Sequence, residues 1–206
     1  MGCDIHMYCE IKKEIDGTEK WYCADKFYLN EYYGEDEYEP QYYVDSIYSG
    51  RNYSLFGVLA DVRNYDGNVP MDEPRGLPDD VSETIKEASD RWGDDGHSHS
   101  WFTARELFDY QEENSSTLHQ GMISAEQDEE LKKGIKPTTW CQWTNSPGYV
   151  KRAWVEDGCV LDNLIDAVKK RMAEKFWIWD FLDEEKKAER FNQEADNFRI
   201  VFWFDN

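Results

Sequence analysis

Alternation of apolar and polar residues opens the chain. Ile5, Met7, Cys9 and Ile11 alternate with Asp4, His6, Tyr8 and Glu10, the period of a strand with one face turned to a core. Glu14-Ile15-Asp16-Gly17-Thr18 follows, and Asp-Gly between two strand-like runs signals a hairpin. Lys20 to Ala24 then reads as the returning strand. At the far end Ile200-Val201-Phe202-Trp203-Phe204 is apolar at every position, which suits a strand covered on both faces inside a sheet. Its expected neighbour is Cys3 to Lys12, which puts Asp205 and Asn206 at the strand's end near the start of the chain.

Between these ends the period changes. Leu55, Phe56, Val58, Leu59 and Val62 suit the buried face of a short helix. Asp79 to Trp92 predicts another: acids crowd its first turn, Val81, Ile85, Ala88 and Trp92 form a stripe, and Gly93 ends it. Thr103-Ala104-Arg105-Glu106 is a capping box leading into Leu107, Phe108 and Tyr110. Ala125 to Lys133 reads as a short acidic helix. Leu161 to Arg190 reads as helix broken near Asp180 to Asp183, with Phe176 to Phe181 expected to add aromatic core.

The remaining stretches are irregular. Phe27 to Tyr53 is acidic, holds eight of the thirteen tyrosines, and is interrupted at Gly34-Glu35-Asp36-Glu37 and Pro40. It reads as a long loop whose rings, Tyr38 among them, pin it to the body. Gln111 to Gly121 is polar, and His119 within it reads as a surface or capping residue. Pro137 to Tyr149 is rich in turn residues, with Trp140 and Trp143 expected to pack beneath it. The sum is a single α+β domain over residues 1–206. Its mostly antiparallel sheet includes the N-terminal hairpin and C-terminal strand, with helices packed on it and long acidic loops.

Charge narrows the function classes. The net charge of -21 on 206 residues repels nucleic-acid backbones and acidic lipid, so direct duplex DNA binding is disfavoured. It favours cations and basic surfaces. No apolar run reaches the roughly eighteen residues of a membrane span, and the start lacks the layout of a signal peptide. Five cysteines without a close CxxC pair fit a reducing cytoplasm.

The sharpest chemistry lies in Trp92-Gly93-Asp94-Asp95-Gly96-His97-Ser98-His99-Ser100-Trp101. His97 and His99 are two apart, as are Asp4 and His6, and residues two apart in an extended segment face the same side. Two such segments can supply four ligands to zinc or manganese, with Asp95 as a substitute. The histidine stretch falls in a loop between two helices, where Gly93 and Gly96 allow unusual backbone angles. Arg51 and Arg63 flank the helix near Leu55. Arg75 beside Gly76 can present a guanidinium next to a backbone amide, a cradle for an oxyanion; pairing with Asp72 or Glu73 is the plainer alternative.

Met1-Gly2-Cys3-Asp4-Ile5-His6, Gly50-Arg51-Asn52-Tyr53 to Arg63, Pro74-Arg75-Gly76-Leu77-Pro78, Gly96-His97-Ser98-His99-Ser100 and Phe202-Trp203-Phe204-Asp205-Asn206 together resemble a family of hypothetical proteins from tailed bacteriophages and prophages. The likeness runs over essentially the whole chain. It implies a phage origin and the cytoplasm of an infected bacterial host, and it supplies no mechanism. It groups Asp4, His6, Arg51, Arg75, His97 and His99 as candidates for one site.

Two functional readings follow. In the first, the protein is a metal-dependent hydrolase of a phosphoester or nucleotide-type small molecule. Asp4, His6, His97 and His99 hold the ion, which makes a nucleophile of a bound water. Asp95, His97 and Arg75 serve the chemistry, and Arg51, Asn52, Tyr53, Arg63, Arg75 and Trp101 hold the ligand. In the second there is no chemistry: the protein sequesters a host nucleotide signal, or blocks a host defence protein through its acidic, aromatic-rich surface. A plainer outcome has His97 and His99 capping the neighbouring helices.

Overall fold

Local pattern and long-range pairing together set the elements. The computed structural model describes residues 2–34 and 40–206. The chain begins with β1 (Asp4–Ile15), β2 (Thr18–Cys23), β3 (Phe27–Leu29) and β4 (Tyr42–Val44), then α1 (Tyr53–Ala60), α2 (Glu83–Asp90), β5 (His97–Thr103) and α3 (Ala104–Glu113). It continues through β6 (Ser116–Ser124), α4 (Ala125–Leu131), β7 (Tyr149–Asp157), α5 (Asp162–Phe176), α6 (Glu184–Glu194) and β8 (Phe198–Asp205). The architecture is α+β, and every strand pair is antiparallel. Among the described residues no helix is long and apolar enough to cross a membrane.

The chain forms two compact units: Met1–Arg51 with Pro74–Phe108 and Asn163–Asn206, and Asn52–Glu73 with Asp109–Asp162. The first holds a four-stranded sheet in the order β2-β1-β8-β5. Asp16 and Gly17 both take positive φ, the geometry a two-residue hairpin needs, and they set the β1–β2 register. β8 lies between β1 and β5, with Asp4 opposite Asp205, His6 opposite Trp203 and Ile11 opposite Phe198. From Phe198 to Phe204 it is buried at every position, as an all-apolar strand requires.

The two faces of this sheet are covered differently. Ile5, Met7, Cys9 and Ile11 are buried on the face they share with Phe202 and Phe204. The opposite face, polar in the β1 sequence, is covered as well. Ile85 and Ala88 of α2 pack on Val201 and Trp203, joined by Tyr8, Leu77, Val81, Trp92 and Trp101. Its charges are buried because they are paired. Arg199 Nε donates to Glu10 Oε2 at 2.6 Å, and Nη1 donates to Asp80 Oδ1 at 2.8 Å. Glu10 Oε1 accepts the Ser82 N–H at 2.7 Å, tying the start of α2 to the sheet.

Several expectations need correction. The histidine stretch is a strand, not a loop between helices: β5 pairs with β8, and a bulge between His97 and Ser100 is absorbed by Ser98 at φ 52°. The tyrosine-rich stretch contains β3 and β4, paired with Tyr28 opposite Tyr43; the interruption expected at residues 35–39, with Tyr38, lies outside the described residues. Phe176 to Phe181 is not aromatic core, since Trp177, Trp179 and Phe181 are 68%, 50% and 82% exposed. The break between α5 and α6 falls where the acids predicted it, and the capping box forms, with the Thr103 N–H donating to Glu106 Oε2 at 2.8 Å.

In the second unit β6 pairs with β7, so the polar run after α3 is largely strand. Asn52 caps α1, accepting the Leu55 N–H at 3.2 Å, and Ser124 and Gln127 form a capping box on α4. His119 is neither exposed nor a cap. It is buried between Asp66 and Glu156, each 3.7 Å from a ring nitrogen, and packs against Trp140 and Trp154. Trp143 is exposed instead of packing beneath its loop.

Candidate functional site

Trp203 organises the α2 side of the sheet. Its ring is fully buried, with Tyr8 stacked at 5.2 Å, His99 at 5.6 Å and His6 at 5.8 Å between centroids. Trp92 closes over His6 at 4.0 Å. Strand register explains the gathering. His6 lies directly opposite Trp203, Tyr8 is two residues on, and the β5 bulge brings His99 to the same indole. Ser89 of α2 places its Oγ 2.8 Å from His99 Nε2. Burial holds both imidazoles below their ordinary pKa; the Asp205 carboxylate opposes this at His6, and His97 adds to it at His99. Both rings are therefore neutral at pH 7, acting as hydrogen-bonding walls and not as cations. Among the described residues Trp203 Nε1 and His6 Nε2 are buried without a hydrogen bond, and His6 Nε2 faces Asp205 Oδ2 at 3.5 Å.

Other nominated residues meet where β1 begins and β8 ends. Arg51 grips both carboxylate oxygens of Asp4 at 2.5 Å and holds its carboxyl below the usual range. The Asp4 N–H donates to Asp205 Oδ1 at 3.2 Å. His97 lies 3.0 Å from the Asn206 amide nitrogen through Nε2 and 3.1 Å from Ser98 Oγ through Nδ1. Its ring stacks on Phe204, on the sheet face opposite Trp203. His97 and His99 thus serve different faces. Among the described residues no three His, Cys, Asp or Glu side chains are grouped to hold a metal ion.

Arg75 is engaged within the fold. Nη2 lies 2.8 Å from Glu106 Oε1, Nη1 donates to the Trp101 carbonyl at 3.2 Å, and the guanidinium sits 4.5 Å from the Phe102 ring centre and 5.1 Å from that of Trp101. The Gly76 amide, expected to cradle an oxyanion, donates to the His99 carbonyl at 2.8 Å. Asp95 is exposed at the end of a single 3-10 turn. Asn52, Tyr53 and Arg63 belong to the second unit. There Asn52 caps α1, Tyr53 packs on Phe56 and Tyr65, and Arg63 donates to the Tyr65 hydroxyl.

Cavities border the Trp203 stack. A space of about 480 Å³ opens between α2 and the β3–β4 pair, lined by Tyr8, Phe27, Gln41, Tyr42, Glu87 and Arg91 among others. Burial pushes the Tyr8 phenol above its ordinary pKa, so it remains a hydroxyl. Arg91 makes no ion pair among the described residues, unlike Arg51 and Arg75. A second space of about 400 Å³ is lined by Gly76, Leu77, Ser89, Asp90, Gly93 and His99. A third, about 150 Å³, touches His6 and Tyr8.

Sequence reasoning passed over Glu87 and Arg91. Thr84, Glu87 and Arg91 stand three and seven residues apart, one helical face beside the apolar stripe, and that spacing could have found them. Nothing local reveals that β3 and β4 pair to wall the other side. No protein-family model, no curated protein and no solved structure matches the chain.

Proposed function

We propose that this is a phage binding protein that takes up a nucleotide-type phosphorylated small molecule in the cavity between α2 and the β3–β4 pair. The observation carrying this reading is an arginine that makes no ion pair among the described residues, Arg91, lining a 480 Å³ space walled by Tyr8, Phe27 and Tyr42. Small-molecule sites commonly occupy roughly 300–1,000 Å³, mostly apolar with a few polar groups. Aromatic faces stack planar bases, and a guanidinium grips phosphate through paired hydrogen bonds. Gln41 and Glu87 add groups suited to the polar edge of a base. The charge of -21 opposes long polyanions far more than one short phosphate beside a local cation. In an infected bacterial cytoplasm, such a protein would lower the free concentration of a host nucleotide signal and so blunt a defence response.

Calorimetry with a panel of mono-, di- and cyclic nucleotides tests this. Arg91→Ala should weaken binding at least tenfold, the loss of about one charge-assisted phosphate contact, whereas Arg51→Ala should not. Absence of nucleotide binding at millimolar concentration would sink the reading.

A metal-dependent hydrolase is the second reading. In its favour, Asp4, His6 and His97 meet Asp205 and Asn206 at one end of the sheet. To bind an ion through Asp4, His6, His97 and His99, Asp4 would have to leave Arg51, His99 would have to leave Ser89, and the two β5 histidines would have to share a face. Elemental analysis of protein purified without chelator or histidine tag decides the matter. Near-stoichiometric zinc or manganese lost in His97→Ala would put hydrolysis first, and protein that stays metal-free after dialysis against either ion would remove it.

A further inference from the structure

We propose that the connection between α5 and α6 is a docking face for an arginine-bearing basic surface of a partner protein. Trp177, Trp179 and Phe181 stand 68%, 50% and 82% exposed, while Ile178 between them is 5% exposed and anchors the segment. The Ile178 N–H bonds the Ala173 carbonyl at 3.1 Å, and the Leu182 N–H bonds that of Trp179 at 3.1 Å. The segment is therefore held. Its outward rings form a ladder, with centroids 5.6 Å apart from Trp177 to Trp179 and 6.2 Å from Trp179 to Phe181, the last two within 10° of parallel. Trp177 sits at φ 56°, a left-handed conformation that strains a bulky residue. A sequence selected for stability alone would put glycine there and polar groups on the ladder. Aromatic surface gathered in one place on a soluble-facing segment marks a contact site.

Charge selects the occupant. Phe176 to Glu185 contains four carboxylates, Asp180, Asp183, Glu184 and Glu185, and no basic residue. Asp183 and Glu184 are answered by Lys186 and Lys187 of α6. Asp180 and Glu185 make no ion pair among the described residues. Exposed indoles beside unanswered carboxylates suit a guanidinium, which can lie flat on the ring and bond a carboxylate at its edge. An ammonium can also sit over a ring, as Lys12 does 5.1 Å from the Trp21 ring centre. It has neither the planar face to stack nor the fork to bond a carboxylate at the same time. The first unit already makes this contact internally: Arg199 lies 4.0 Å from the Trp21 ring centre while bonding Glu10. Anionic lipid and nucleic-acid backbones are opposed by the same four carboxylates.

This inference is independent of the nucleotide cavity and is tested apart from it. Fluorescently labelled peptides of alternating arginine and alanine, and of lysine and alanine, would be titrated with the full chain near physiological salt. The arginine peptide should bind several-fold more tightly than its lysine counterpart. The Trp179→Ala/Phe181→Ala variant should weaken it roughly tenfold, two cation–π contacts at about 0.5–1 kcal/mol each. Asp180→Lys/Glu185→Lys should weaken both peptides. Thermal unfolding and far-UV circular dichroism unchanged in the ring variant would confirm that only the face was altered. Equal affinity for both peptides, or an arginine affinity untouched by loss of the rings, would overturn the proposal. So would ring-dependent self-association in sedimentation, which would make the occupant a second copy, or ring-dependent binding to phosphatidylcholine vesicles, which would make it lipid.

Discussion

Two aromatic stretches in this chain share a pattern and meet opposite fates. Phe202-Trp203-Phe204 and Trp177-Ile178-Trp179-Asp180-Phe181 are both short, dense in rings and adjacent to acids. The first is buried on both faces, and the second keeps three rings in water. Hydrophobicity does not separate them; backbone pairing does. β8 has β1 on one edge and β5 on the other, so its polar main chain is satisfied and its side chains face covered surfaces. Residues 177–183 lie between two helix ends and pair with no strand.

The largest expected contrast is in stability. Trp203→Ala empties the centre of the α2 face and should cost roughly 3–5 kcal/mol, whereas Trp179→Ala should fall within about 0.5 kcal/mol of the parent. Urea unfolding of the two variants measures both. Similar losses would show that the ladder is packed in solution and would break the comparison.

Next in size is the paired charge that lets a polar strand face be buried. Arg199→Met leaves Glu10 buried and partnerless at the guanidinium side, and removing one member of such a pair costs about 3 kcal/mol or more. Glu10→Gln/Arg199→Met should recover much of that loss, because both charges leave the interior together. A double variant as unstable as the single one would mean that packing against Trp21, not ionic pairing, holds the corner.

These contrasts also show what the chain revealed in advance. The Asp16-Gly17 hairpin, the all-apolar closing strand and the Thr103–Glu106 capping box were legible because each is set by neighbours within a few residues. β5 was not. His97-Ser98-His99-Ser100 has no apolar period, and it becomes a strand only because β8 offers a free edge about a hundred residues later. His119 was missed for the same reason, since Asp66 and Glu156 that clamp it are distant in sequence. The meeting of Asp4 and His6 with Asp205 follows from pairing the first strand with the last, but the pairing of Asp4 with Arg51 is a contact no local pattern encodes. Phe176 to Phe181 was misread because composition alone cannot tell a covered ring from an exposed one.

The buried face should respond to pH while the ladder does not. His6 and His99 have folded pKa values lowered chiefly by burial, so just below pH 6.5 they bind fewer protons folded than unfolded. Their contribution is therefore present above that pH and is lost as pH falls through the window toward the folded values. His99→Gln should flatten the decline seen in unfolding between pH 7 and 5, and Trp179→Ala should leave it unchanged. Ser89→Ala, which removes the 2.8 Å contact to His99 Nε2, should cost about 1–2 kcal/mol at pH 7.

The smallest stability effect is also the most informative. Trp177→Gly relieves a left-handed residue at φ 56°, a gain of about 1 kcal/mol, offset by a similar entropy in the unfolded chain. Net stability should move by less than about 1 kcal/mol, while the arginine peptide loses one of its three rings. Unchanged melting with weakened binding would mean that the strained tryptophan is kept for contact and contributes nothing to folding. A clear loss of stability would mean instead that the Trp177 ring packs on the body in solution, and the ladder would then have to be redrawn from Trp179 and Phe181 alone.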